Sequence, residues 1–122
     1  MRLARATREV QIALLGEAAD CATGAAVFVW DEDRNYVAVN DYACTLVGLT
    51  REELLTMSVG AMTPDGASTI LDEAQRVPSL RGRSTIVRRD ETTIEVEYLT
   101  LHTKVAGLPY MVSVVWPFGG AR

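Results

Sequence analysis

The sequence predicts an α+β domain in which one five-stranded antiparallel sheet carries a cluster of helices on one face. Three observations predict it. Residues 25–39 read as a short strand hairpin rich in β-branched and aromatic side chains. Residues 40–78 hold apolar residues at helical spacing between recognisable caps. From Leu80 the pattern turns to alternation and keeps it to Pro117.

Before the hairpin, residues 2–19 place Leu3, Ala6, Val10, Ala13 and Leu14 at helical spacing, with Arg2, Arg5, Arg8, Glu9 and Glu17 among them. This is an amphipathic helix whose apolar stripe needs a partner, so residues 1–20 form an N-terminal segment distinct from the domain at 25–118. Ala25 to Trp30 is a buried strand, Asp31 to Asn35 a turn, and Tyr36 to Val39 the returning strand. Asn40 and Asp41 suit the N-terminus of a helix that ends at Val47, where Gly48 suits the left-handed closing position. Thr50-Arg51-Glu52-Glu53 is a capping box, and a second helix is expected from Arg51 to Met57. Thr63 followed by Pro64 opens a third, with Ala67, Ile70, Leu71, Ala74 and Val77 on its apolar face before Pro78. Three consecutive strands follow, Leu80–Arg89, Thr92–Thr103 and Leu108–Pro117, joined by turns at Asp90-Glu91 and at residues 104–107.

The bulk composition narrows the function classes. With 48% hydrophobic and 23% charged residues in 122, the chain builds a single core rather than a disordered tail. A formal net charge of -4 gives no general attraction for a phosphate backbone, so nucleic acid is not an expected partner. Arg76, Arg81, Arg83, Arg88 and Arg89 form a local basic run, read as the solvated edge of a strand that discourages sheet-to-sheet association. Cys21 and Cys44 lack metal-binding spacing and are expected to be reduced core residues. No apolar run approaches the ~20 residues of a membrane span, and the charged N-terminus is unlike a signal peptide. A cytoplasmic location is expected.

Ala26 to Asp31, Tyr36 to Asn40 and Leu46 to Leu54, with the later Arg88-Arg89-Asp90 and Ile94-Glu95-Val96, resemble PAS domains. The likeness covers about residues 25–118 and lies in the order of elements. It implies strand order 2-1-5-4-3, helices on one face, and a preceding helix that packs on the other face and mediates dimers. The implied role is that of a sensory or regulatory domain of a bacterial-type signalling protein, homodimeric through the N-terminal helix and the sheet face. The output domain or partner protein is expected to lie outside this chain. Two departures stand out: Asp90-Glu91 replaces the usual Asp-Gly turn, and Trp116-Pro117-Phe118 replaces the Asp-Ile-Thr type ending.

Strand parity separates two faces. On the fourth strand Val96, Tyr98, Thr100 and His102 share one face, and Glu95, Glu97, Leu99 and Leu101 the other. By the resemblance the first set faces the helices, together with Phe28, Trp30, Met111, Ser113 and Val115, and these (His102 apart) are the candidate pocket lining. Buried, the Trp30 and Tyr98 polar groups would need partners that a ligand or water could supply. The same residues suit a filled core in a domain that only binds proteins, and that alternative stays open.

His102 is the single histidine, and haem-binding relatives take their ligand from the helical face, so haem is not expected. The Asn-Cys-Arg segment that bonds flavin in LOV relatives is absent, and with it the covalent photocycle; the chromophore cysteine of photoactive yellow protein is absent too. The ligand, if one exists, is unnamed by the sequence. No acid, base and nucleophile converge, with one histidine on a strand and carboxylates mainly at caps and turns, so an enzyme is not expected.

Overall fold

A computed structural model describes residues 25–63, 68–105 and 107–118. The elements run β1 (Ala26–Trp30), β2 (Tyr36–Val39), α1 (Asp41–Val47), α2 (Arg51–Leu54), α3 (Ser68–Ala74), β3 (Ser79–Val87), β4 (Thr93–Val105) and β5 (Leu108–Pro117). All five strands join one antiparallel sheet in the order β2-β1-β5-β4-β3. The amphipathic segment expected at 1–20, and Cys21, lie outside the described residues.

Local chemistry explains where the elements stop and start. Asp31 turns the hairpin by accepting the Asp33 and Asn35 amides on Oδ1 at 2.9 and 3.0 Å. Asn40 caps α1 by accepting the Ala43 amide at 2.9 Å, and Gly48 closes it with φ 77°. The capping box at Thr50 forms in both directions, Glu53 N–H to Thr50 Oγ1 at 3.1 Å and Thr50 N–H to Glu53 Oε1 at 2.9 Å. α2 is shorter than the Arg51–Met57 expected. After Leu54 the amides of Thr56 and Met57 bond three residues back, to Glu53 and Leu54, so the chain tightens and leaves the helix. At Asp90-Glu91 a non-glycine residue takes the left-handed conformation, Glu91 at φ 70°.

Two layers of core follow from the sheet's alternation. The helix-facing layer contains Phe28, Trp30, Tyr36, Val39, Val96, Met111 and Val115, covered by Ala43, Leu46, Val47, Leu54, Met62, Leu71 and Ala74. A smaller cluster on the other face holds Val27, Val29, Val37, Ala38 and Tyr110. β2 contributes to both layers out of strict alternation because its register with β1 shifts between Val29 and Trp30. That irregularity sets Tyr36 opposite Trp30 and turns it inward, while Val37 and Ala38 both join the far cluster. Cys44, expected as a core residue, is half-buried and packs against the helix-facing core.

Candidate functional site

A cavity of about 110 Å3 lies between the sheet and α3. The sheet supplies Phe28 and Trp30 from β1, Tyr36 from β2, Ser84 and Ile86 from β3, Val96, Tyr98 and Thr100 from β4, and Ser113 and Val115 from β5. These residues meet because antiparallel register stacks alternate positions: Phe28 lies opposite Ser113, Tyr98 opposite Val115, and Thr100 opposite Ser113. The facing wall is Val59, Gly60, Met62 and Thr63, then Ile70, Leu71 and Ala74 on one side of α3.

Seven of the eight residues expected to line a pocket do line this one; Met111 does not. It is fully buried in the core opposite Trp30, so same-face parity put it in the right layer but not on the wall. His102 shares the parity too, yet lies in a shallow depression with Arg76, Val77, Pro78, Thr103 and Lys104. Parity gives a face, and only packing decides which part of that face stays uncovered.

Besides the hydroxyls of Ser84 and of Thr63, which donates to the Gly60 carbonyl at 2.9 Å, the polar groups of the cavity fall into two sets. Trp30 Nε1–H donates to Ser113 Oγ at 3.0 Å, and that hydroxyl pairs with Thr100 Oγ1 at 2.8 Å. This corrects the expectation that the buried indole would look to a ligand or water: the fifth strand supplies its acceptor. Tyr36 and Tyr98 are different, since neither hydroxyl has a hydrogen-bond partner among the described residues. Burial pushes the Tyr36 phenol well above its ordinary range. Tyr98 is shifted upward by burial and then by the negative charge of Glu73. The Tyr98 ring passes over Gly82, where a Cβ would come within 2.7 Å of its hydroxyl oxygen, so a side chain there would displace the ring.

The α3 wall is fastened to the β1–β2 turn. Arg34, in the left-handed conformation at φ 66°, donates from Nε and from an Nη to Gln75 Oε1 at 3.0 and 2.8 Å. It also pairs with Asp72, while Gln75 Nε2 donates to the Glu32 carbonyl at 3.0 Å. Asp72, which the sequence marks only as part of a solvated helix face, is exposed but ion-paired. At the other end of the helical layer Arg89 pairs with Glu53 and donates to the Gly48 carbonyl, tying the β3–β4 turn to α1 and α2. Of the basic run, Arg83 lies 3.7 Å over the Phe118 ring and 3.6 Å from Glu97, and Arg76 and Arg81 are exposed.

On the opposite side of the sheet, Leu99 pairs with Val114 and Leu101 with Val112 across β4 and β5. Leu101 is 42% exposed. Beside them Trp116 Nε1–H donates to Glu97 Oε1 at 2.9 Å. Among the described residues, no helix is long and apolar enough to cross a membrane, and no group of three metal-ligating side chains occurs.

A family model described as PAS fold matches residues 15–104. No curated protein sequence matches the chain. Among solved structures, a PAS domain from a two-component sensor histidine kinase is 17% identical with a TM-score of 0.74, over 91% of this chain and 99% of that one. The PAS domain, in complex with ethanol, of a LuxR-family transcriptional regulator from Burkholderia thailandensis is 15% identical with a TM-score of 0.70, over 85% and 97%. A LOV protein from Rhodobacter sphaeroides is 14% identical with a TM-score of 0.76, over 93% and 70%. At such identities the likeness speaks to fold.

Proposed function

This chain belongs to the PAS family, and from that premise we propose that it is a sensory domain that admits a small molecule between α3 and the sheet. The observation that carries the reading is the cavity of about 110 Å3, apolar but for a few hydroxyls and one indole N–H, in the middle of an otherwise filled core. A closed core in a purely protein-binding module requires no such space, and voids larger than a water are few in folded domains. The volume is below the ~150 Å3 cavity that accommodates benzene, so the space suits a small molecule. The neighbour solved with ethanol supports that scale.

Ligand entry favours whichever arrangement of α3 leaves the most room, and the population shifts by the ligand's differential affinity for the two arrangements. Two routes lead outward from the wall. The Arg34 clasp carries a displacement of α3 to the β1–β2 turn. Ser113, bonded to Trp30 and Thr100, joins three strands and lies on the strand that leads to Pro117. In this reading the far sheet face, with Leu99, Leu101, Val112 and Val114, meets a second copy of the chain, and a partner protein or output domain receives the signal.

The test is a titration of the protein with neutral molecules of six or fewer non-hydrogen atoms, followed by amide correlation spectra, for wild type and for Ala74→Leu, which fills the space. Shifts centred on the lining residues in wild type and lost in the variant are expected. Spectra that no such molecule moves would leave the closed-core interaction module as the better account.

A further inference from the structure

Resting on the reading of the cavity as a ligand site, we infer that Tyr36 selects what enters it: a neutral molecule of about six non-hydrogen atoms or fewer whose carbonyl, ether or hydroxyl oxygen accepts a hydrogen bond from the phenol. The starting observation is a polar atom without a partner. Tyr36 is 8% exposed, lines the cavity, and its hydroxyl bonds to nothing among the described residues. Yet no fully enclosed side-chain nitrogen or oxygen among those residues lacks a partner. The Tyr36 oxygen therefore touches accessible space, and its residue lines the cavity.

The ring is held ready. It packs on Phe28 with centroids 5.4 Å apart, and its backbone amide donates to the Met57 carbonyl at 3.3 Å. A hydroxyl fixed by such packing needs little further ordering to bond a ligand. It is also a donor throughout the physiological range, because burial holds the proton on.

The remaining walls define what the ligand lacks. Ser113 already accepts from Trp30 and pairs with Thr100, which commits the indole proton and one of the two hydroxyl protons. Among the described residues, no Asp, Glu, Lys, Arg or His is in the lining. A carboxylate or ammonium entering here would lose its hydration and find no counter-charge among them. Size and neutrality are thus set by the walls, and Tyr36 adds a donor for an acceptor oxygen beside the similarly unpartnered hydroxyl of Tyr98.

The experiment uses the whole chain, with cyclopentanone, cyclopentane and propanoate as probes, and compares wild type with Tyr36→Phe by amide-shift titration. The expected result is that Tyr36→Phe weakens cyclopentanone by about tenfold, the weight of one hydrogen bond, and leaves cyclopentane within about twofold. Propanoate at the same concentrations moves no lining resonance. The variant should melt no lower than wild type, since it loses only an unpartnered hydroxyl. Equal effects on ketone and hydrocarbon, propanoate binding as tightly as the ketone, or a lowered melting temperature overturns the role of Tyr36 while the cavity remains a ligand site. Failure of every probe to reach the lining overturns the ligand reading with it.

Discussion

Replacing Ser113 by alanine removes the acceptor that ties β1, β4 and β5 together beneath the cavity. Trp30 is 1% exposed and its indole N–H lies 3.0 Å from Ser113 Oγ. Leaving a buried donor unsatisfied costs about 1–3 kcal/mol. Thr100 loses a partner as well, but its hydroxyl can rotate, so the indole sets the scale. The adjoining cavity, about 110 Å3, exceeds the ~10–15 Å3 a water needs, and water reaching the indole holds the cost to the lower part of that range. We expect a loss of about 1–2 kcal/mol, or a fall of about 4–8 °C in Tm for a domain of this size. Urea unfolding followed by far-UV circular dichroism measures it without relying on Trp30 emission. Ser113→Ala, Trp30→Phe and the double variant form a cycle in which the coupling should reach about 1 kcal/mol. Additive single effects, or a Ser113→Ala change under about 0.5 kcal/mol, would refute the claim that this bond organises the cavity floor.

Asn40→Ala should cost about 2–4 kcal/mol in the same assay, because the 1%-exposed amide accepts from Val27 N–H and Ala43 N–H and donates to the Ala25 carbonyl; a loss near that of an ordinary exposed cap would contradict its role in joining β1 to α1. Glu53 is held near pH 2, down from 4.5, chiefly by its hydrogen bond from Arg89 and then by the Thr50 amide. With the folded-state value lowered, its stabilisation is complete above pH 4.5 and lost as pH falls toward 2. Glu53→Gln should therefore flatten the acid limb of a Tm–pH profile, and an unchanged slope would count against the pair. Leu101→Glu, on the exposed sheet face, should weaken self-association in sedimentation equilibrium by tenfold or more, given a charge set into an apolar contact; an unaltered association constant removes that face as the dimer surface.

Much of the fold was legible because its signals are local. Asn40, Gly48 and the Thr50 capping box mark helix ends through bonds spanning three or four residues, and alternation from Leu80 onward marks the strands. Where the chain relied on longer-range effects, the reading stopped short. Nothing near Trp30 reveals an acceptor 83 residues away, or near Arg34 a glutamine 41 residues on. Tyr36, with Ser84 and Ile86, was outside the expected lining because faces were assigned only on the first, fourth and last strands, and the register shift in the hairpin takes Tyr36–Val39 out of simple alternation. The α3 wall escaped it for another reason: Ile70, Leu71 and Ala74 were visible as an apolar helix face, but such a face looks the same whether it closes on the sheet or leaves a gap.

The account turns on whether filling the cavity alters the elements around it. Amide hydrogen exchange of the whole chain, with and without saturating cyclopentanone, measures that directly. We predict slower exchange at residues 70–74 of α3 and a second, connected change along β5 from Ser113 toward Pro117. Exchange that changes nowhere, or only at residues remote from both, would contradict a ligand-driven shift of α3 against the sheet.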